Sequence, residues 1–356
     1  MTLPSARADL GLRKGYHSAQ VDADVRLNTN ESPYPPPTAF VEDLAAEMQR
    51  IDFHRYPDRS AWALRSELAA WHGVAPEQVF CANGSNEVLQ LLCLAYGGPG
   101  RVALAFEPTY ALHSHIAHLT GTEAVEVDRR GDFTIDPAAA ADACAARSPA
   151  VTFLCSPNNP TGMSEDPSLV RHLLSVAPGL VVVDEAYGQF ADWSALDLVE
   201  EGAPLVVIRT FSKTWSMAGV RLGYLVAASE VVEVMGRVAL PYHLDSVKQV
   251  AGRLALRHVA DMEIRVATIV RERQRLFAAL ASWGPEVVTT WPSQANFILW
   301  RPETVPGPEV WRGLVERGVL VRDTSSWPGL AGCLRVTVGT PVENDRFLGA
   351  LKEVLG

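Results

Sequence analysis

The chain has 356 residues, of which 48% are hydrophobic and 20% are charged. This length and composition are typical of one large globular domain or two smaller ones, and they exclude a disordered chain or a coiled coil. The 31 basic and 41 acidic residues give a net charge of −10. That charge excludes binding to nucleic acid or an anionic membrane through overall charge, although it is compatible with a local basic pocket for a small anion.

The sequence shows no segment for export or for crossing a membrane. No apolar run approaches the roughly 18 residues of a membrane span, and residues 1–18 lack the apolar core of an export signal. The five cysteines are odd in number and have no close pair, a pattern typical of reduced thiols rather than of disulfides or a zinc cluster. We therefore predict a cytoplasmic protein without a metal site.

Residues 1–35 lack periodicity and are predicted to form an N-terminal arm. The region 36–243 contains seven short apolar runs separated by helical patterns. Most runs are uninterrupted and rich in β-branched residues, which is typical of strands covered on both faces in a mostly parallel sheet. We predict a large α/β domain in which helices sandwich a seven-stranded sheet, with strands at Val79–Ala82, Val102–Phe106, Ala124–Val127, Ala150–Cys155, Leu180–Val183, Leu205–Ile208 and Gly223–Ala227.

Residues 244–356 are predicted to form a smaller α+β domain that begins with a long helical region, 244–282. Because this helical region can belong to both domains, the boundary between them stays open. The elements predicted after it are strands and helices at Val287–Thr290, Phe297–Trp300, Pro308–Arg317, Val319–Arg322, Leu334–Val338 and Glu343–Leu355.

Polar motifs follow four of the predicted strands, at the edge of the sheet where ligands of α/β proteins bind. They are Asn83–Glu87, Ser156–Gly162, Asp184–Tyr187 and Arg209–Lys213. Each alone is also explained by an ordinary role: a helix cap, a turn, an ion pair or a solvated basic patch. Together they supply a helix start for a phosphate, a carboxamide, a carboxylate, a phenol and a lysine. Pyridoxal phosphate needs this set, because a lysine carries the cofactor and a buried carboxylate keeps its pyridine nitrogen protonated.

These motifs resemble those of the fold-type I pyridoxal-phosphate aminotransferases, and the resemblance runs from about Tyr16 to the C-terminus. The segments that carry it are Ser156–Gly162, Asp184–Tyr187, Ser212-Lys213 and Arg221–Tyr224. Further segments resemble the histidinol-phosphate branch of the family, namely Leu27–Pro33, His54–Asp58, Leu240–Leu244 and Cys333–Gly339. The resemblance implies the fold of aspartate aminotransferase, pyridoxal 5'-phosphate as the cofactor, and a homodimer.

The resemblance also implies roles for individual residues. Lys213 matches the lysine that binds the cofactor and moves protons, Asp184 the carboxylate beside the pyridine nitrogen, and Tyr187 the phenol that faces the ring hydroxyl. The other residues expected to bind the cofactor are Gly84, Ser85, Asn86, Tyr110, Asn159, Thr210, Ser212, Arg221 and, reaching over from the second subunit, Tyr56. The residues expected to bind the substrate are Tyr16, Asn30, Asn159, Arg322 and Arg335.

The implied reaction moves the amino group of L-histidinol phosphate to 2-oxoglutarate, which gives imidazole acetol phosphate and L-glutamate. The alternatives are an aromatic amino-acid aminotransferase and a phospho-amino-acid decarboxylase of the same fold. A cofactor-sensing transcription regulator would need a DNA-binding module and a nicotinamide enzyme a fingerprint loop, and the sequence contains neither. The sequence departs from the family pattern at Thr214-Trp215 and at Gly15, which bears on the shape of the substrate pocket.

Three histidines lie close together between residues 113 and 118. His113 and His115 point to different faces of the predicted helix, and the spacing is not one that metal ligands use. We therefore predict no metal site there.

Overall fold

The computed structural model of the protein describes residues 3–5 and 21–356, so Gly15 and Tyr16 lie outside the described residues. The described strands are β1 (Val25–Leu27), β2 (Val79–Ala82), β3 (Val102–Glu107), β4 (Glu123–Asp128), β5 (Val151–Cys155), β6 (Leu180–Asp184), β7 (Leu205–Thr210), β8 (Gly223–Ala227), β9 (Val288–Thr290), β10 (Phe297–Pro302), β11 (Val319–Asp323) and β12 (Leu334–Thr337). The described helices are α1 (Thr38–Met48), α2 (Trp62–His72), α3 (Ser85–Tyr96), α4 (Leu112–Leu119), α5 (Pro137–Arg147), α6 (Pro167–Val176), α7 (Ser229–Val238), α8 (Ser246–Leu256), α9 (Val259–Ala281), α10 (Gly307–Glu316) and α11 (Pro341–Leu355).

The seven strands predicted for the larger domain form one sheet, in the order β2-β8-β7-β6-β5-β3-β4. The sheet is parallel except for β8, which runs antiparallel to both β2 and β7. In β6, Val182 packs into the apolar cluster on one face, whereas Val181 and Val183 pack into the cluster on the other. Because both faces are covered, every residue of β6 is buried and the strand appears in the sequence as an uninterrupted apolar run. The predicted α/β architecture is confirmed.

A second sheet has the order β1-β11-β12-β10-β9. Its strand β1 was not predicted, because a three-residue strand in the N-terminal arm is too short to show a periodicity. β1 pairs in parallel with β11, with Val25 opposite Val319. The N-terminal part of the chain therefore completes a sheet built otherwise from C-terminal strands.

The long helical region 244–282 consists of two helices, because the chain turns between α8 and α9. Leu254 of α8 lies in the apolar cluster that contains Tyr224 of the larger sheet. Leu276 of α9 lies in the cluster that contains Ile298 of the smaller sheet. The two helices thus join the two sheets, and the predicted domain boundary within this region stays a prediction.

Candidate active site

A cavity of about 230 Å³ lies at the carboxyl edge of the larger sheet, where the smaller sheet faces it. Residues after β2, β3, β5, β6 and β7 line it, as expected for parallel strands whose carboxyl ends share one edge. Thirteen of the residues predicted for cofactor or substrate line this cavity, namely Asn30, Ser85, Asn86, Tyr110, Asn159, Asp184, Tyr187, Thr210, Ser212, Lys213, Arg221, Arg322 and Arg335.

One end of the cavity is the start of helix α3. The residue before this helix is Gly84, with φ +83°, and no side chain caps the first turn. Neither Ser85 nor Asn86 therefore acts as the ordinary helix cap that the sequence also allowed, and the amide of Asn86 instead accepts a hydrogen bond from the Tyr110 hydroxyl at 3.1 Å. Uncapped backbone N–H groups and the helix dipole together favour an anion at this point.

The same end of the cavity holds a guanidinium and two hydroxyls. Arg221 Nη1 donates to Ser212 Oγ at 3.0 Å, and Thr210 Oγ1 lies 3.0 Å from the same oxygen. A Cβ atom at Gly84 would lie only 2.8 Å from Arg221 Nη2, so the glycine is what lets the guanidinium reach the helix start. Arginine, hydroxyls and helix amides are the donor set of a phosphate monoester, and the residues present fit the phosphate of a bound cofactor.

Asp184, the last residue of β6, is 2% exposed. One carboxylate oxygen, Oδ2, lies 3.0 Å from His113 Nε2, and the other accepts from the Ala186 amide at 3.1 Å. His113 is fully buried, and its ring stacks on Phe153 with the centroids 4.9 Å apart. A carboxylate that is buried and held by two polar partners is placed to stabilise a cation beside it. This role of His113 was not predicted from the sequence, where the residue was weighed only as a metal ligand.

Lys213 follows β7 and projects into the cavity. Its Nζ donates to the backbone oxygen of Thr29 at 3.1 Å. Burial first and the positive charge of Arg335 second lower the pKa of Lys213 to about 7, with Glu31 opposing and Arg221 adding to the shift. A large fraction of this amine is therefore neutral near pH 7, as a nucleophile or general base must be.

The phenol of Tyr187 lies next to the lysine, whose Nζ is 5.7 Å from the centre of the tyrosine ring. The hydroxyl accepts a hydrogen bond from Asn30 Nδ2 at 2.9 Å. Asn30 has φ +55° and is held on both sides by Thr337, to which its backbone N–H donates at 3.0 Å and from which its Oδ1 accepts at 3.1 Å. Burial raises the pKa of Tyr187, so the phenol stays protonated at neutral pH.

The opposite end of the cavity carries two arginines from the smaller sheet. Arg322 of β11 and Arg335 of β12 stand directly opposite each other across an antiparallel pair. Arg335 is buried and donates to the backbone oxygen of Asn28 at 2.9 Å and to the side-chain oxygen of Asn159. Two guanidinium groups at one place suit an anionic group with several acceptor oxygens.

Two described residues named in the sequence analysis, Tyr56 and Trp215, do not line the cavity. Tyr56 is 80% exposed, and its ring stacks on that of Tyr242 at 4.5 Å, outside the cavity. Tyr16 lies outside the described residues. Trp215, which was expected to shape the substrate pocket, is buried in the apolar core against Trp71 and Phe211.

Grouped metal ligands and helices that could span a membrane are both absent from the part of the chain that the structure describes. Within residues 3–5 and 21–356, no three His, Cys, Asp or Glu side chains are grouped as metal ligands. No helix of these same residues combines the length and the apolar composition needed to cross a bilayer. All five cysteines are buried free thiols.

The chain is similar to known proteins over nearly its whole length. The family described as aminotransferase class I and II matches residues 23–351. The histidinol-phosphate aminotransferase of Mycobacterium avium (strain 104) is 47% identical over 354 residues, covering 97% of this chain and 87% of that protein. The histidinol-phosphate aminotransferase of Rhodococcus jostii (strain RHA1) is 46% identical over 358 residues, covering 98% and 92% respectively.

The fold is likewise shared with solved structures. The crystal structure of histidinol-phosphate aminotransferase from Sinorhizobium meliloti, in complex with pyridoxal-5'-phosphate, superposes with a TM-score of 0.85. Its sequence is 21% identical, and the superposition covers 94% of this chain and 91% of that chain. A likeness at this level of identity shows a common fold.

Proposed function

The chain belongs to the aminotransferase class I and II family, and from this membership we propose that it transfers the amino group of L-histidinol phosphate to 2-oxoglutarate. The products are imidazole acetol phosphate and L-glutamate, a step of histidine biosynthesis. The observation that carries the proposal is the pair of Arg322 and Arg335 in the cavity that also holds Lys213. Such a pair suits a substrate with a phosphate group, and the similar proteins of Mycobacterium avium and Rhodococcus jostii are named for this activity.

The cofactor is pyridoxal 5'-phosphate, and the donor set described above fits it. The start of α3 with Gly84, Ser85 and Asn86 would hold its phosphate together with Thr210, Ser212 and Arg221, and Tyr110 would stack on its ring. Asp184 would meet the pyridine nitrogen, and Asn159 and Tyr187 the ring hydroxyl. When bound, the cofactor supplies an electron sink for the electron pair left at the substrate's α-carbon.

Lys213 is the residue that moves the proton in this proposal. Its Nζ would take a proton from the α-carbon of the substrate and deliver it to the cofactor rather than back to the same carbon, which requires a neutral amine at the start. Burial and the nearby Arg335 favour the neutral amine by lowering the pKa of Lys213 to about 7. Asp184, whose carboxylate is held by His113 and the Ala186 amide, balances positive charge during this transfer.

L-Histidinol phosphate and L-glutamate, the amino donors of the two directions of the reaction, use the same cavity in turn. The end of the cavity that carries Arg322 and Arg335 therefore accepts either a phosphate or a carboxylate. The hydrogen bonds of Arg335 to Asn28 and Asn159, which hold its guanidinium in one orientation, support this role. A planar guanidinium binds either anion through two parallel hydrogen bonds. Asn30 and Arg322 line the same cavity and complete the proposed substrate site.

We also propose that the protein is a homodimer. Phe53, Tyr56 and Leu240 are 67%, 80% and 76% exposed, and Tyr242 lies against Tyr56 in the same surface. A second copy of the chain would bury these side chains and place its own Tyr56 toward the cofactor phosphate, as the family resemblance implies. Light scattering should give about twice the 38.7 kDa chain mass, and the mass of one chain would contradict the proposal. A cytoplasmic location stays a prediction.

A half-reaction experiment tests the substrate. The purified protein with its cofactor is mixed separately with L-histidinol phosphate, L-glutamate and L-phenylalanine, and the visible absorbance of the bound cofactor is followed. We expect L-histidinol phosphate to bleach it at far lower concentration than L-phenylalanine. A preference for L-phenylalanine would indicate an aromatic aminotransferase. In a separate sample with a phosphorylated amino acid such as L-threonine O-3-phosphate, release of carbon dioxide without 2-oxoglutarate would indicate a decarboxylase.

A further inference from the structure

Trp327 lines the cavity, but neither the sequence motifs nor the proposed mechanism gives it a role. It lies in the loop 324–333 between β11 and β12, close to Arg322. The central carbon of the Arg322 guanidinium is 5.8 Å from the centroid of the Trp327 ring. At this distance an aromatic face attracts a cation, most strongly where water is excluded.

The loop holds Trp327 in a defined position. The hydroxyl of Thr324 donates to the backbone oxygen of Cys333 at 2.8 Å and so closes the loop at its base. The backbone N–H of Trp327 donates to the oxygen of Thr324 at 2.9 Å, and its ring packs against an apolar cluster that includes Leu299 and Leu330. The indole is therefore placed before any ligand arrives.

Arg322 faces a residue of like charge across the sheet. Arg335 stands directly opposite Arg322 in the register of β11 and β12, and like charges at such positions repel each other. Since the face of an indole attracts a cation, Trp327 favours the position of Arg322 in the cavity despite this repulsion.

Resting on the proposed function, we propose that Trp327 is a specificity-determining residue that favours the phosphate-bearing substrate over glutamate. A phosphate monoester carries close to two negative charges and three strong acceptor oxygens, enough to bind Arg322 and Arg335 together. Each carboxylate of glutamate carries one charge and two oxygens, so Arg335 alone satisfies the one that binds at this end of the cavity. Trp327 acts through Arg322, so its removal weakens binding of the phosphate more than binding of a carboxylate.

The chain offers a matched control for this cation–aromatic pair. Trp291 packs against the same apolar cluster as Trp327, and its ring lies 5.9 Å from the guanidinium carbon of Arg301. Neither of these two residues lines the cavity. Trp291→Leu therefore removes a comparable ring and a comparable pair without touching the proposed substrate site.

The experiment measures kcat/KM for L-histidinol phosphate and for L-glutamate in the holoenzyme, for wild type, Trp327→Leu, Trp327→Phe and Trp291→Leu. We expect Trp327→Leu to lower the value for L-histidinol phosphate about tenfold (~1.4 kcal/mol), mainly through KM, and that for L-glutamate by less than about twofold. Trp327→Phe keeps an aromatic face and should restore most of the loss. Trp291→Leu should keep the wild-type ratio of the two values.

A second readout uses inorganic phosphate as a competitor of L-glutamate in the holoenzyme. Its inhibition constant should rise about tenfold in Trp327→Leu and stay at the wild-type value in Trp291→Leu. An equal loss for both amino donors, or no loss, would overturn the inference and leave Trp327 a structural residue. If wild type does not react with L-histidinol phosphate, the proposed function fails, and the phosphate inhibition constants alone decide the role of Trp327.

Discussion

Replacing Lys213 should change how the stability of the cofactor-free protein depends on pH. Burial and the charge of Arg335 lower the pKa of Lys213 to about 7 in the folded protein, from an ordinary value of 10.5. Between these two values the unfolded chain binds one more proton than the folded protein, so the free energy of unfolding rises with pH. The pKa of Lys213 in the folded protein and its ordinary value differ by 10.5 − 7 = 3.5 pH units. At ~1.4 kcal/mol per pH unit, the free energy of unfolding rises by about 5 kcal/mol across this interval.

Urea unfolding of wild type and Lys213→Met, both without cofactor, measures this contribution. The difference between the two stability curves isolates Lys213, because the other titrating groups are common to both proteins. We expect the wild-type curve to gain on the variant by ~1.4 kcal/mol per pH unit above about pH 7, and the two curves to run parallel below it. Lys352→Met, which changes an exposed lysine of α11, should keep the wild-type slope. Parallel curves for wild type and Lys213→Met at all pH values would refute the reasoning.

Two further substitutions test the cofactor site. His113→Phe keeps the ring volume but removes the nitrogen that lies 3.0 Å from Asp184 Oδ2. We expect this substitution to lower the free energy of unfolding by about 1–3 kcal/mol. An unchanged urea midpoint would show that this contact contributes nothing to stability. Gly84→Ala places a methyl group 2.8 Å from Arg221 Nη2 at a residue with φ +83°, so the dissociation constant of pyridoxal phosphate should rise at least about tenfold. Gly100→Ala is the control, because Gly100 has φ +78° and no atom within 4 Å of an added Cβ, so the variant carries the same backbone strain without the contact. Equal weakening of pyridoxal-phosphate binding in both glycine variants would argue against the role of Arg221.

The central strands of the larger sheet, β5, β6 and β7, were predictable because all their residues are buried. A parallel strand covered by helices on both faces must be apolar at every position, and β6 shows this pattern in sequence and in burial. The same argument placed Asp184 and Lys213 at one edge, since parallel strands end on the same side. Strand β1 carried no such signal, because its three residues pair with β11, nearly three hundred positions later in the chain.

Trp215 and His113, which were misplaced or missed from the sequence, depend on contacts between distant segments. Trp215 follows the lysine directly, yet its ring turns into the core against Trp71. His113 meets Asp184 only because α4 packs against β3 and β4 of the same sheet in which β6 ends at Asp184. Trp327 reaches the cavity from a loop between two strands of the smaller sheet, and no spacing in the sequence indicates that it faces Arg322.

The sequence by itself determined the chemistry of the site, because the types of residue that follow the strands are local properties: a glycine helix start, a carboxylate, a lysine and an arginine. The tertiary structure decided how those groups behave. Burial beside Arg335 is what lowers the pKa of Lys213 to about 7, and the register of β11 and β12 is what sets two arginines face to face. Burial and charge proximity arise from packing between segments far apart in the chain, which periodicity and motif spacing do not record.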